Sequence, residues 1–437
     1  MSKIEPKTLP GFMELLPNEQ ILFNQIKAKI ENVYNKYGFL PIDTPIIESA
    51  EVLLAKAGGE TEKQIYRFNK GEADLALRFD LTVPLAKYVA KNYGNLSFPF
   101  RRYQIGKVYR GEKAQKGRYR EFYQCDVDII GDGTLSILND AELPSIIYNI
   151  FKDLGFKEFT ICINNRKILN GLFESLNLTQ KSTEILRIID KIDKIGKEKV
   201  IIELQKLELQ ENAINTIINF IQITGTTQEI ITKLKELKIE NETFKIGLEE
   251  LESVAKYVLA FGVPQSNFKI DLTIARGLDY YTGTVYETFL NNYREIGSVC
   301  SGGRYENLAE YYTDKKLPGV GVSIGLTRLF YKLNELELIK AEKKSISDVL
   351  IIDMETQDTT YLKLANELRA QGINTEVFLN NKKLKAKFKY ADKLQIPYVI
   401  IIGEDELQAN KVKVKNMQTG EEKLVENNAK IIADNLK

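Results

Sequence analysis

Residues 101–131, RRYQIGKVYRGEKAQKGRYREFYQCDVDIIG, decide how the chain is read. Polar and apolar positions alternate through Tyr103, Ile105 and Val108 to Arg110, and again from Phe122 through Val127 to Ile130, with Gly117 in the connection. The pattern predicts an antiparallel hairpin. Alternate side chains of a strand share a face, so Gln124, Asp126 and Asp128 lie together while Tyr123, Cys125 and Val127 lie opposite. One face therefore carries an amide and two carboxylates. The connection gathers Lys113, Lys116, Arg118 and Arg120 with Glu112, Gln115 and Tyr119. That mixture suits phosphate and single-stranded nucleic acid, and equally a solvated, charged hairpin tip.

Composition narrows the classes of function. A chain of 437 residues with 43% hydrophobic content predicts two or three domains with real cores. Lys+Arg 61 against Asp+Glu 60 leaves a net charge of +1, so affinity for RNA must come from local basic patches. Cys125, Cys162 and Cys300 fit neither a disulfide framework nor a zinc-ligand spacing, which reads as a reducing cytosol. No apolar run reaches the roughly 18 residues of a membrane span, and no signal-peptide pattern opens the sequence. A soluble, cytoplasmic protein without a membrane partner is expected.

The chain has no histidine, where a usage of about 2% would give roughly nine, and no tryptophan. Histidine-based hydrolytic triads and two-histidine zinc sites are thereby excluded. Chemistry must run on carboxylates, arginines and tyrosines, with a divalent ion as an optional helper.

Outward from the hairpin, apolar spacing over 18–37 predicts a helix stopped by Gly38, followed by an extended Leu40-Pro41-Ile42-Asp43-Thr44-Pro45. Residues 75–91 pass from a strand into a helix with Thr82 as N-cap and Pro84 in its first turn, which puts Asp80 at the junction. By position alone, Asp80 and Thr82 read as helix caps. Residues 166–262 change character to long Ile/Leu/Lys/Glu segments with helical spacing and predict a helical insertion. Sheet returns at Phe268–Leu272, before Ala275-Arg276-Gly277-Leu278-Asp279-Tyr280-Tyr281-Thr282-Gly283 and Ser301-Gly302-Gly303-Arg304-Tyr305. The second of these also reads as a plain hairpin turn. Gly319-Val320-Gly321-Val322-Ser323-Ile324-Gly325 predicts a glycine-rich strand leading into a helix that carries Thr327 and Arg328. Residues 348–437 alternate strand and helix and predict a small, mainly parallel α/β domain. Its second helix, 382–395, interleaves Lys387, Lys389 and other lysines with Phe388 and Tyr390, either as a nucleic-acid surface or as a solvated face.

These stretches together resemble a known family. Arg110, Glu112, the basic loop and Phe122 resemble motif 2 of the class II aminoacyl-tRNA synthetases, and the run from Gln115 to Gln124 resembles the histidyl-tRNA synthetases in particular. The helix and proline-ended strand after residue 18 resemble motif 1, which implies a homodimer. The segments around Arg276 and Gly303 resemble the two histidine-specific motifs, 318–330 resembles motif 3, and 388–398 resembles an anticodon-binding domain. The resemblance implies an α+β chain: a class II antiparallel-sheet catalytic domain over 1–335, interrupted by the helical insertion at 166–262, and an α/β anticodon-binding domain over 346–437.

The implied reaction joins L-histidine to ATP, with Mg²⁺, and passes the histidyl group to histidine tRNA. In this assignment Arg110 and Arg276 act on the α-phosphate. Asp80, Thr82 and Gln124 hold the amino and carboxylate groups, Asp128 and Tyr281 serve the two imidazole nitrogens, and Arg110, Arg276, Tyr280 and Tyr305 complete the histidine-binding set. Glu112, Phe122 and Arg328 bind ATP, and Gln115, Lys116, Lys387 and Lys389 meet tRNA. The family usually has an acid where Thr327 stands, and often glutamate at the position of Asp128, so the roles of these two are open. A histidine-biosynthetic regulatory paralogue without ligase activity is the alternative. Gln115→Ala should weaken tRNA charging while leaving histidine-dependent pyrophosphate exchange intact; equal loss in both assays would place the residue in amino-acid activation instead.

Overall fold

The computed structural model describes residues 3–55, 60–113, 117–274, 281–354, 356 and 358–436. Two compact units emerge, residues 1–13 with 27–336, and residues 14–26 with 337–437. Residues 14–26 are the part of the first helix that the sequence reading gave to the catalytic portion. Helical periodicity runs unbroken through that helix and so does not register the division.

In the first unit, α1 (Pro17–Lys36, from residue 27 onward) ends at Gly38, whose φ of 74° suits glycine. The chain continues into β1 (Leu40–Pro41) and a small antiparallel sheet of β2 (Ile47–Ser49), β3 (Arg67–Lys70) and β4 (Ala73–Leu77), in the order β2-β4-β3. Helix α2 (Thr82–Asn92) then precedes the hairpin strands β5 (Phe100–Tyr109) and β6 (Glu121–Ile130). After α3 (Leu138–Asp153) come β7 (Phe159–Asn165), α4 (Arg166–Ser175), a series of short helices over 179–236, and α5 (Glu242–Ala260). Strands β8 (Phe268–Ile270), β9 (Thr284–Leu290), β10 (Cys300–Tyr305) and β11 (Gly319–Gly325) follow, and α6 (Leu326–Glu335) closes the unit.

The principal sheet has eight strands in the order β1-β5-β6-β11-β10-β9-β7-β8. Its inner pairings are antiparallel and only the two edge pairings, β1 with β5 and β7 with β8, are parallel. This is the expected α+β, antiparallel-sheet catalytic fold. Register divides the sheet into two chemically distinct faces. Tyr103, Cys125 and Val127 look toward helices: the Tyr34 hydroxyl of α1 donates to the Cys125 carbonyl at 3.0 Å, and Arg101 pairs with Glu142 of α3 at 2.8 Å. On the other face Arg102 lies opposite Asp128, Gln104 opposite Asp126, and Gly106 opposite Gln124. The β11 partners of Gln124, Asp126 and Asp128 are Gly325, Ser323 and Gly321. Small residues there leave room for the polar side chains, while Val320, Val322 and Ile324 pack the helix-covered side.

Gly302 and Gly303 fall inside β10 and form no hairpin turn. Each lies where a side chain would collide: a Cβ on Gly302 would sit 2.1 Å from the Gly321 carbonyl, and one on Gly303 would sit 2.9 Å from the Tyr281 ring. Close strand packing, more than turn geometry, accounts for this pair.

The helical run expected over 166–262 forms, yet its first and last helices belong to the packing of the main sheet. Helix α5 contacts α3, α4 and β7. Glycines permit the approach, since a Cβ on Gly171 would meet the Phe244 backbone nitrogen at 2.3 Å and one on Gly247 the Ile168 nitrogen at 2.7 Å.

The second unit holds a five-stranded sheet with β12 (Val349–Asp353), β13 (Thr375–Val377), β14 (Tyr398–Ile402), β15 (Lys411–Asn416) and β16 (Glu422–Glu426), in the order β13-β12-β14-β15-β16. Helices α7 (Thr360–Ala370) and α8 (Leu384–Leu394) connect the first three strands. Val349, Ile351, Ile400 and Ile402 enter one core cluster, and Leu350, Ile352, Val399 and Ile401 enter another, as expected for strands buried on both faces. The parallel pairings are limited to β12 with its two neighbours. The hairpin of β15 and β16 is antiparallel, which corrects the expectation of a mainly parallel sheet. Alternation of charged and apolar residues across 411–426 carried that signal.

Arg304 of β10 reaches the helix-covered side and binds Asp140 of α3 through Nη2 at 2.6 Å, while also donating to the Leu135 and Ser136 carbonyls at 3.1 and 3.2 Å. Asp140 is fully buried. Arg304→Met would strand its carboxylate away from water, and should cost about 3–5 kcal/mol of stability in urea unfolding of the whole chain. A loss under about 1 kcal/mol would show that the pair is not what fastens α3 to the sheet.

Candidate active site

A cavity of about 430 Å³ opens on the polar face of β6, β10 and β11. Its size suits a small-molecule ligand. Its wall carries the cationic and aromatic side chains of Arg110, Arg118, Arg328 and Phe122. The same wall holds Asp80, Thr82, Gln124 and Asp126. Asp190, at the end of helix Ser182–Ile189, also lines it, so the helical insertion supplies part of the wall.

The Arg110 guanidinium lies over the rings of Phe79 and Phe122, at 4.3 and 5.1 Å from their centroids, and its Nε donates to the Phe79 carbonyl at 3.2 Å. Aromatic faces hold the planar cation in orientation without consuming its charge. Phe122 therefore already serves as a platform for an arginine on one face. Arg328 donates through Nη2 to the Ile296 carbonyl, and burial together with Arg118 holds its pKa below the ordinary value. Glu112 lines the cavity with Arg118 3.8 Å from its carboxylate, and its carbonyl accepts from Arg120 Nε at 3.0 Å.

Among the acidic groups of the wall, Asp80 Oδ1 accepts from the backbone N–H groups of Thr82 and Val83 at 3.1 and 2.9 Å. Asp80 thus satisfies the first N–H groups of α2, a capping role that position alone offers to both Asp80 and Thr82. Burial pushes its carboxyl above the usual range against the pull of those N–H groups and Arg110. Gln124 donates from Nε2 to Ser323 at 2.9 Å, while its buried Oε1 has no hydrogen-bond partner among the described residues. Tyr281 lines the cavity, and its carbonyl accepts from Arg166 at 2.7 Å.

Asp128 stands elsewhere than expected. It is 3% exposed, with Oδ2 2.6 Å from Arg102 and Oδ1 accepting from the Tyr305 hydroxyl at 3.0 Å. Both residues form the layer behind the cavity wall, so Tyr305 orients Asp128. Arg102 is fully buried, and its Nε and Nη1 find no partner among the described residues.

Thr327 does not enter the cavity either. Its hydroxyl accepts from the Tyr123 N–H at 2.8 Å and ties α6 to β6. In the second unit Lys387 is 5% exposed and donates to the Asp353 carbonyl at 2.8 Å, so it is a packing residue and no surface lysine; Lys389 is exposed. Phe388 likewise faces the core. Gln115, Lys116, Arg276 and Tyr280 lie outside the described residues.

The sequence assigns no individual role to Arg102, Asp126, Ser323 or Asp190, and offers Arg118 only as part of the basic loop suited to phosphate and single-stranded nucleic acid. For Asp126 the signal was present, because the β6 alternation puts it midway between two residues that were chosen. Arg102 and Ser323 could be found only through register.

A family model described as Histidyl-tRNA synthetase matches residues 11–329, and one described as Anticodon binding domain matches 348–430. The chain belongs to the histidyl-tRNA synthetase family. Relatives named histidine–tRNA ligase include that of Clostridium tetani, 62% identical with 95% of each chain covered, and that of Finegoldia magna, 53% identical over 97% of this chain and 98% of the relative. A solved histidyl-tRNA synthetase from Nostoc sp. PCC 7120 superposes with a TM-score of 0.89 at 42% identity and 99% coverage of both chains.

Two glycines of β11 in this family member test how tightly the site is built. A Cβ on Gly321 would fall 2.0 Å from Asp128 Oδ1, whereas one on Gly325 would meet nothing closer than 3.9 Å. Gly321→Ala should lower stability by about 1–3 kcal/mol. Gly325→Ala should stay within about 0.5 kcal/mol of the parent. Similar melting temperatures for the two variants would refute this account of the strand.

Proposed function

We propose that the chain is a histidine–tRNA ligase, which activates L-histidine with ATP to histidyl-adenylate and passes the acyl group to the 3′ end of histidine tRNA. The carrying observation is the mixed charge of one cavity: the guanidinium groups of Arg110, Arg118 and Arg328 line it together with Asp80, Gln124 and Asp126. A zwitterionic amino acid and a polyphosphate held side by side need both kinds of group.

Attack by a carboxylate on the ATP α-phosphate calls for alignment and charge neutralisation, and for no general base. A histidine-free chain can therefore carry out the step. In this reading Arg110 and Arg276 attend the α-phosphate, and Arg328 the distal phosphates. Phe122 and Glu112 hold adenine, while Asp80, Thr82 and Gln124 hold the amino acid. Tyr280 and Tyr281 close on the imidazole, with Asp128 and Tyr305 supporting from behind. Among the described residues no group of three His, Cys, Asp or Glu could hold a metal ion, so Mg²⁺ fits here as an ion carried by the phosphates of ATP.

Residues 1–335 are assigned to the catalytic domain, 166–262 to its insertion and 346–437 to anticodon binding. Gln115, Lys116 and Lys389 are assigned to tRNA, and Lys387 is not. Leu40, Ile47 and Phe68, 59%, 49% and 38% exposed, suit a homodimer contact beside motif 1. Among the described residues no helix is long and apolar enough to cross a membrane, and a cytoplasmic location accords with that and with three unpaired cysteines. Over a regulatory paralogue, the ligase reading is favoured by the anticodon-binding match and by the 62% identical ligase relative.

The test is ATP–pyrophosphate exchange with histidine, with and without tRNA, in the parent and in Arg276→Ala. The parent should exchange in a histidine-dependent manner. Loss of a guanidinium aimed at the α-phosphate should remove about 3–4 kcal/mol of transition-state stabilisation, a hundredfold or more in rate, with Lys restoring only part. Exchange by the alanine variant within a few-fold of the parent would sink the assignment of Arg276. A parent without histidine-dependent exchange would sink the reading as a whole.

A further inference from the structure

Asp126 is 2% exposed, lines the cavity, and presents a buried Oδ1 that has no hydrogen-bond partner among the described residues. A buried carboxylate oxygen left without a donor is costly, and a native fold keeps one where a ligand supplies it. The neighbouring Gln124 Oε1 is in the same condition, one same-face position and about 7 Å along the strand. Asp80 lines the same cavity, close enough for its charge to act on Asp126, with one oxygen occupied by backbone N–H groups. A primary ammonium has three N–H donors diverging from one cationic centre, and this one cavity offers it two unpartnered acceptor oxygens together with the Asp80 carboxylate.

We propose that Asp126 receives the α-ammonium of the amino-acid substrate, completing with Asp80 and Gln124 a three-acceptor cage. The inference rests on the ligase reading and adds a residue to its substrate site. Asp128 does not line the cavity, and Arg102 and Tyr305 already engage one oxygen each. Asp126 thus acts as a specificity residue for a charged amino group.

The electrostatics agree with the geometry. Burial pushes the Asp126 carboxyl up to about 7, Arg102 of β5 and the Ser323 hydroxyl of β11 pull it down, and Asp128 of β6 and Asp80 before α2 push it further up. Cys300 of β10, Cys125 of β6 and Tyr34 of α1 also feel its charge, and all three stay neutral because burial raises them. An arriving ammonium favours the ionised form, so binding releases a proton. Affinity for an amino ligand should therefore rise as pH increases through about 7 and level off above it. With no histidine in the chain, few protein groups compete in that window.

The experiment is calorimetric titration of the full chain, parent and Asp126→Asn, with L-histidinol and with 4-(3-hydroxypropyl)imidazole, which lacks the amino group. Near pH 8, Asn should weaken histidinol by on the order of tenfold to a hundredfold and the deamino analogue by less than about threefold. From about pH 6 to 8 the parent should gain roughly tenfold over the variant for histidinol, a ratio from which the ligand's own titration cancels. The ligand-free variant should melt no lower than the parent near pH 8, since it no longer buries an unpaired carboxylate. Normal histidinol affinity in the variant, equal loss for both ligands, or a lower melting temperature would overturn the proposal, the last two by assigning Asp126 to the ring or to the framework. Should Asn fail to fold, Asp126→Ser is read in the same way. A parent that shows histidine-dependent pyrophosphate exchange while the variant binds normally would defeat this inference and leave the ligase reading standing.

Discussion

Arg102 is the interaction on which the rest of the site depends. Its guanidinium is fully buried in the central sheet, bound to Asp128 at 2.6 Å and to the Leu81 carbonyl at 3.3 Å. Burying a cation costs several kcal/mol unless acids and acceptors surround it. Asp80, Asp126 and Asp128 all lie within reach of its charge, which opposes the upward push of burial on each, and Arg110 also acts on Asp80, so two cations serve three buried carboxyls. That imbalance favours a cationic group on a ligand. The Arg102 guanidinium reaches the Leu81 carbonyl at the start of α2, so the helix that Asp80 caps is tied to the floor of the site.

The second constraint is steric. A sheet face that must hold Gln124, Asp126 and Asp128 in a dry layer cannot also hold large side chains on the adjoining strand. Gly321, Ser323 and Gly325 satisfy that limit at the opposing register positions, and Val320, Val322 and Ile324 use the alternate positions to fill the core. Gly303 opens the same kind of space for Tyr281, and Gly319 for Tyr305, whose ring would lie 2.3 Å from an added Cβ. The glycine-rich strand is thus a packing requirement of the polar strand beside it.

This explains how far the sequence could be read. Period-2 alternation located the hairpin and sorted its faces, because one side of β5 and β6 is covered by helices and the other lines the cavity. Long helical periodicity located α1 and the helical run, and continuous apolar runs located β12 and β14. What alternation cannot provide is depth. Asp126 and Asp128 have the same face and the same chemistry, yet one borders the cavity and the other is spent on Arg102 and Tyr305, a distinction set by residues 26 and 177 positions away in sequence. Lys387 was misjudged for a related reason: a lysine-rich helix looks solvated throughout, although one lysine in each turn or two must face the sheet and bury its stem. Here its ammonium finds the Asp353 carbonyl. Thr327 shows the converse, where a departure from the family pattern proves to lie at a helix–strand junction outside the cavity.

A pocket built without histidine must also identify histidine without using imidazole against imidazole. The side chains available for that task are carboxylates, phenols and amides; apart from Asp126, which burial pushes up to about 7, they are groups whose ordinary protonation changes lie far from neutrality, unlike that of an imidazole. Fixing them takes a supporting layer. Tyr305 donates to Asp128 and so commits one of its oxygens, Arg102 commits the other, and Ser323 takes the donor end of Gln124, leaving its carbonyl end toward the cavity. Each group at the wall is thereby presented in a single hydrogen-bonding sense. A ligand that cannot match that sense leaves buried polar atoms unpaired, and this penalty discriminates far more strongly than shape alone. Selectivity at this site therefore follows from the residues behind the wall as much as from those that line it.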